Sequence, residues 1–153
     1  MSTDHYTPQD IAVKILNSIE FEPDCTILDC CSGSNKVFYN NFPEYLTKYF
    51  CEIEEDIDFL KYNDRVDYIV SNPPFQRKVL WSFINHSMDI CNKEIYFLLN
   101  VDCLNVFTMK RLSVIQEKGF YINMLKFLEI KKWFGRYLLI RLSRVEDKNI
   151  GIL

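Results

Sequence analysis

"VDYIVSNPPFQ", residues 66–76, is the stretch from which the rest of the chain can be read. Val66 to Val70 is an apolar run broken only by Asp67, the composition of a strand buried on both faces. Ser71 closes it, and Asn72, Pro73, Pro74 and Phe75 follow. Two prolines stop a strand, because neither brings an N–H to a ladder. Pro73 also holds Asn72 extended, and Pro74 does the same to Pro73. The plainer reading is a proline turn in which Asn72 satisfies the backbone. The sharper one is a stiff lip offering two acceptors, the Asn72 side-chain oxygen and the Pro73 carbonyl, with the flat face of Phe75 beside them. An exocyclic NH2 group has two hydrogens to donate, and an aromatic face suits a planar base. These residues therefore fit one planar, amino-bearing group, gripped at its edge and stacked on its face.

Working outward, strands alternate with helices. "TPQDIAVKILNSI" (7–19) has apolar residues at helical spacing, with Thr7 as the expected N-cap and Pro8 at the first helical position. "CTILDCC" (25–31) predicts a short buried strand, residues 35–48 a helix or irregular crossover, and "KYFCEIE" (48–54) a second strand. After the third strand at 66–71, "KVLWSFINHSMDICN" (78–92) predicts a helix and "EIYFLLN" (94–100) a strand. Residues 105–119 predict a helix closed by Gly119. "YINMLKFLEI" (121–130) and "RYLLIRLSR" (136–144) predict two strands joined by a basic turn. The order implies an α/β protein: a mostly parallel sheet covered on both faces, ending in an antiparallel strand pair.

Composition narrows the class. The 153 residues fit one domain, 1–153, with 48% hydrophobic and 25% charged residues. Net charge is −3, but residues 1–75 carry 5 Lys/Arg against 14 Asp/Glu, whereas residues 76–153 carry 13 against 7. The basic half is where a polyanion would dock, although a solvated surface explains charge asymmetry as well. The six cysteines include no Cys-x-x-Cys pair and there are only two histidines, His5 and His86, so no metal site is expected. No basic-then-apolar leader opens the sequence and no apolar run reaches membrane-spanning length. The expectation is a cytoplasmic protein with reduced cysteines that is not bound to a membrane.

In open α/β sheets ligands bind beyond the carboxyl ends of the strands. Three such places carry polar residues here. Asp29 ends the first strand and is followed by the small-residue turn Ser32-Gly33-Ser34, which lets backbone approach a ligand closely; a plain strand-to-helix turn would look the same. Glu52, between Cys51 and Ile53, stands where a second-strand acid takes ribose hydroxyls, while Glu54, Glu55 and Asp56 read as a solvated loop. Asp58 could accept from an adenine amino group with Phe59 packed on the ring, or it could cap a helix above a core Phe. The third place is the lip itself.

These motifs together resemble the S-adenosylmethionine-dependent N6-adenine DNA methyltransferases. "NPPF" after an apolar strand is similar to their catalytic (Asp/Asn/Ser)-Pro-Pro-(Tyr/Phe) motif, and "YTPQDIA" (6–12) to the Thr-Pro segment before the first strand. "LDCCSGSN" (28–35) resembles the Asp-x-Phe-x-Gly-x-Gly cofactor loop, with Cys31 in place of the aromatic and Asn35 in place of the last glycine. "CEIEED" (51–56) resembles the acidic second-strand motif and "DFL" (58–60) the adenine-packing motif. The resemblance implies a Rossmann-like class I methyltransferase. Its catalytic residues would be Asn72, Pro73, Pro74 and Phe75. S-adenosylmethionine would be held by Tyr6, Thr7, Pro8, Asp29, Ser32, Gly33, Glu52, Asp58 and Phe59.

The family's separate target-recognition domain has no counterpart in these residues. "KFLEIKKWFGRYLLIR" (126–141) is the expected substitute. There Lys131, Lys132 and Arg136 would follow phosphates while Trp133 stacks or wedges, although a surface hairpin with a core Trp has the same sequence. The expected partner is nucleic acid, DNA foremost, with a recognition subunit or a homodimer as further partners. Methylation of RNA or of a protein glutamine, and a catalytically silent partner-binding subunit, stay open as alternatives.

Overall fold

The computed structural model describes residues 6–153; His5 lies outside them. Four helices and six strands follow the expected alternation. They are α1 (Gln9–Asn17), β1 (Thr26–Asp29), α2 (Val37–Asn41), β2 (Thr47–Phe50), β3 (Val66–Ser71), α3 (Arg77–Ile90), β4 (Cys91–Asn100), α4 (Met109–Glu117), β5 (Tyr121–Leu128) and β6 (Tyr137–Ser143). The sheet order is β2-β1-β3-β4-β6-β5. The first four strands run parallel to one another, while β6 is antiparallel to both β4 and β5.

The parallel strands are buried from both sides, which is why their sequences are apolar without alternation. Ile95 through Leu99 on β4 are all inaccessible or nearly so. One core places Leu80, Ile84 and Met88 of α3 and Ile115 of α4 on one face of the sheet. The other places Ile11, Ala12, Ile15 and Leu16 of α1 with Val37 and Phe38 of α2 on the opposite face.

Several boundaries differ from the sequence expectation, each for a local reason. Pro8 is the N-cap of α1, not its first helical residue, because its ψ of 146° is extended; its carbonyl accepts the first helical bond, from Ala12 N at 3.0 Å. Thr7 is therefore not the cap and is buried instead. β2 stops at Phe50, where the chain turns so that Glu52 and Ile57 form an isolated bridge. The predicted helix at 105–119 is two elements. Asn100 accepts from Cys103 N at 3.0 Å and starts a 3₁₀ segment, Val101–Val106, and Thr108 then caps α4 by accepting from Arg111 N at 3.3 Å. Gly119 closes α4 as expected. At φ +76° it lets its own N–H reach the Gln116 carbonyl and the Phe120 N–H reach Ile115, with Phe120 buried.

No helix connects β2 to β3. Two short 3₁₀ turns, Ile53–Glu55 and Phe59–Lys61, take its place. β2 is consequently an edge strand, with Thr47, Lys48 and Tyr49 exposed. No helix among the described residues is long and apolar enough to cross a membrane.

Candidate active site

The carboxyl ends of β1, β2, β3 and β4 lie at one edge of the sheet, and the residues singled out from sequence gather there. Asp29 is completely buried at the end of β1. Its Oδ1 accepts from Ser71 Oγ at 2.6 Å and from Cys31 N at 3.3 Å. Cys31 N also approaches Ser71 Oγ at 3.1 Å. Oδ2 of Asp29 is buried with no hydrogen-bond partner among the described residues. Burial, helped by the Glu52 charge, pushes the Asp29 carboxyl up to about 7, against the lowering effect of the Ser71 hydroxyl and the Cys31 and Tyr39 N–H groups.

The turn after β1 depends on Gly33, whose φ is +63°. A Cβ there would lie 2.9 Å from Tyr6 Cε1, so the Tyr6 ring covers the glycine directly. Ser34 Oγ completes the contact by donating to Tyr6 Oη at 3.1 Å. Ser32 is buried and its N–H donates to the Cys51 carbonyl at 3.0 Å, tying the loop after β1 to the one after β2. Asn35, which stands in place of the last glycine, does not have a positive φ. Lys36 does, at φ +48°, and its ammonium reaches Glu55 at 2.6 Å while lying 4.1 Å from the Phe50 ring centroid.

Glu52 is buried two residues beyond β2 and accepts from Glu54 N through Oε1 at 3.2 Å. Asp58 accepts from Leu60 N at 3.0 Å and so caps the second 3₁₀ turn. Phe59 is buried in the core, 5.0 Å from the Phe83 ring and 4.9 Å edge-on to His86. For Asp58 and Phe59 the plainer sequence reading is thus what the fold displays: a capping acid above a core aromatic. An adenine face on Phe59 does not fit that burial. His86 has a structural place too, donating to the Tyr62 carbonyl at 2.6 Å.

The lip follows Ser71 directly. Pro73 is buried, and Asn72, Pro74 and Phe75 are half-buried. Asn72 Oδ1 is shielded from solvent, and Phe75 packs at the margin of both cores. Across the sheet, β4 and β6 run antiparallel, so the β5–β6 hairpin turn rises at the same edge. Val101 N donates to the Arg136 carbonyl at 2.9 Å, and Asn100 pairs with Tyr137. Lys131, Lys132 and Arg136 are exposed there. Trp133 is half-buried, with its ring 4.9 Å from that of Tyr137. At the turn itself the aromatic presented to solvent is Phe134 rather than Trp133, and Phe127 on β5 is exposed as well.

Thiolate chemistry has no support at this edge. All six cysteines are free, and burial pushes Cys31 and Cys51 up to about 12. Among the described residues no group of three or more His, Cys, Asp or Glu side chains is placed to hold a metal ion. An apolar cavity of about 210 Å³ lies between α4, β5 and residues 150–152, and none of the site residues lines it. Sequence reasoning gave no role to Ser71 or Lys36. Ser71 had a signal, a hydroxyl ending a buried strand; Lys36 had none, because its partners come from another loop.

No protein-family model matches the sequence, and no curated protein matches it either. Solved structures do match in shape. A Listeria monocytogenes protein assigned to the class I S-adenosylmethionine-dependent methyltransferases has a TM-score of 0.72 at 14% identity, over 97% of this chain and 64% of that one. This is the class I methyltransferase fold. Magnesium protoporphyrin IX methyltransferase of Synechocystis PCC 6803, crystallised with bound S-adenosylmethionine, gives a TM-score of 0.64 at 11% identity, over 90% of this chain and 78% of that one. A Pyrococcus horikoshii protein assigned as an RNA methyltransferase gives 0.60 at 16%, over 90% and 83%. The chain therefore spans a little under two thirds of the length of the Listeria protein.

Within this methyltransferase fold the edge can be tested for fit to S-adenosylmethionine, a ligand rich in donors: an ammonium, ribose hydroxyls and an adenine amino group. The donor-seeking groups match. Among the described residues Oδ2 of Asp29 is buried without a hydrogen-bond partner beside a glycine turn, and Glu52 holds a buried carboxylate at the neighbouring strand end.

Proposed function

We propose that the chain is an S-adenosylmethionine-dependent methyltransferase acting on the exocyclic N6 amino group of adenine in DNA. The observation that carries this is the placement of the Asn72-Pro73-Pro74-Phe75 lip on β3, joined through Ser71 to the buried Asp29 of the neighbouring strand. The two halves of such a reaction, donor and acceptor, would then meet at one sheet edge.

Asp29, the turn around Gly33, Glu52 and the Tyr6-Thr7-Pro8 segment would hold the cofactor, with Ser32 and Asp58 shaping the loops. When bound, S-adenosylmethionine supplies an electrophilic methyl group on a sulfonium. The residues of the chain act on the acceptor. An adenine inside a duplex is out of reach, and swinging it out costs a few kcal/mol. Stacking on Phe75 offsets about 1–3 kcal/mol of that. The N6 lone pair is delocalised into the ring and is poorly nucleophilic. Asn72 Oδ1, shielded in the structure and so needing to be uncovered by the incoming base, and the Pro73 carbonyl would accept the two N6 hydrogens, favour a pyramidal nitrogen and stabilise the positive charge that develops on it. The surplus N6 proton leaves to solvent after the new N–C bond forms. Proline bracing keeps both oxygens in place beforehand, which is a positioning contribution.

Lys131, Lys132 and Arg136 would take phosphates at the same edge, and the excess of cations in residues 76–153 supports a polyanionic partner. The test is incubation with methyl-labelled S-adenosylmethionine and separate DNA, RNA and protein pools, with calorimetric titration of the cofactor alone. Label in N6-methyladenine of DNA is the expected result. Label in RNA or protein would move the substrate while keeping the chemistry. No heat of cofactor binding would reduce the chain to a methyltransferase-like binding subunit.

A further inference from the structure

We infer that Phe134, at the tip of the β5–β6 hairpin, enters the base stack of the bound duplex and fills the place vacated by the flipped adenine. This deepens the function proposed above and rests on its nucleic-acid partner. Phe134 is 101% exposed. A single exposed apolar side chain is common and by itself indicates nothing, but three further observations set this one apart.

The first is how firmly the ring is held out. Gly135, at φ +107°, makes the turn behind it. Tyr137 Oη donates to the Phe134 carbonyl at 2.9 Å, and Trp133 N donates to the carbonyl of the buried Ile130 at 3.0 Å. With Trp133 packed on Tyr137, both arms of the turn are anchored in the core behind the sheet edge. The hairpin tip is thus braced while the Phe134 ring faces water.

The second is charge. Lys131, Lys132 and Arg136 are exposed within three residues of Phe134 along the turn, Lys126 is exposed further down β5, and Glu129 is the one acid between residues 126 and 136. A ring among cations fits a ligand with planar apolar faces linked by anions, which is the chemistry of a nucleic acid. It does not fit a neutral protein surface or the face of an acidic peptide without rings.

The third is place. Arg136 is bonded to Val101, immediately beyond the end of β4, and β4 is the strand beside the one that carries the lip. At about 4.8 Å per strand the hairpin and the lip are on the order of 10 Å apart across the sheet, within the footprint of one duplex. Arg77 and Lys78, exposed in the first turn of α3 just past Phe75, add two more cations next to the lip in sequence. In this arrangement cations fix the backbone, Asn72 and Phe75 receive the base, and Phe134 occupies the hole.

The experiment measures equilibrium binding of an intact 20-base-pair A/T-rich duplex and of the same duplex carrying one abasic site. An abasic site is a hole already made, so the wild-type chain should bind it more tightly than the intact duplex. Phe134→Ala should lose that preference, weakening on the abasic duplex by about tenfold, the scale of one base–aromatic stack. Phe134→Trp should keep it. Lys131→Ala with Lys132→Ala should weaken both duplexes alike and flatten the salt dependence. If the wild-type chain binds and Phe134→Ala matches it on both duplexes, the wedge role is overturned and the nucleic-acid reading survives. If the wild-type chain binds neither duplex, both fall together.

Discussion

Ser71 donates its hydroxyl hydrogen to the fully buried Asp29 carboxylate over 2.6 Å, joining the end of β3 to the end of β1. The residue after Ser71 opens the lip, and the residues after Asp29 form the glycine turn. This bond, the Cys31 N–H that donates to the same hydroxyl and the β1–β3 pairing together fix the spacing between the two parts of the proposed site.

Ser71→Ala removes that donor without creating a large void. A hydrogen bond to a charged group contributes about 1.5–3 kcal/mol. For a chain of this size the melting temperature should fall by roughly 5 °C or more. Differential scanning calorimetry at pH 7.5 checks this, and an unchanged melting temperature would mean that the hydroxyl does not hold the strand ends together.

Asp29→Asn should stabilise the protein in a pH-dependent way. Burial raises the Asp29 pKa from 3.8 to about 7. Between those values the folded state keeps a proton that the unfolded chain has released, so stability falls as pH rises through the window. The loss is complete above about pH 8 and, for a shift of this size, on the order of several kcal/mol. The amide carries no such penalty. The melting-temperature gap between Asp29→Asn and wild type should be largest at pH 8 and close towards pH 4. A gap independent of pH would show that Asp29 does not titrate in that window. On the proposed function, cofactor affinity should fall in the same variant, since a neutral amide replaces the carboxylate.

Asn72→Ala should separate binding from transfer. Turnover should drop by at least about a hundredfold, the scale of removing one preorganised charge-stabilising group from a water-poor site. Calorimetry should find S-adenosylmethionine bound within about threefold of wild type, less than 1 kcal/mol. Retention of most of the activity would remove Asn72 from the chemistry.

Gly33→Ala tests the turn proposed to hold the cofactor. The φ of +63° disfavours any Cβ, and the Cβ itself would stand 2.9 Å from the Tyr6 ring. The left-handed backbone alone costs about 1–2 kcal/mol, and the clash adds to it. In a Tyr6→Ala background only the backbone part should remain. Urea denaturation of the two single variants and the double variant gives the coupling. Additive effects would mean that Tyr6 does not cover Gly33.

Much of the fold was legible because burial on two faces writes long apolar runs. Val66–Ser71 and Ile95–Leu99 are fully or largely buried and could be read as strands without a partner in view. Helix spacing did the same for α1 and α3. Errors fell where a single torsion or a side-chain cap decides the boundary, as at Pro8 and Asn100. The candidate site was read as motifs, since Asp29, Glu52 and Asn72 each stand at or just beyond the end of an apolar run. Packing puts Phe59 in the core and leans Trp133 on Tyr137, contacts that no sequence window contains.

The order of elements, the three polar strand ends and the proline-braced lip came from the sequence alone, because each depends on neighbours along the chain. What only the tertiary structure decided is which distant groups touch. Ser71 meets Asp29 across 42 positions, Lys36 meets Glu55, Tyr6 covers Gly33, and Phe134 rather than Trp133 reaches solvent. Such pairings follow from strand order and loop path, and these are properties of the folded chain that no local window of residues contains.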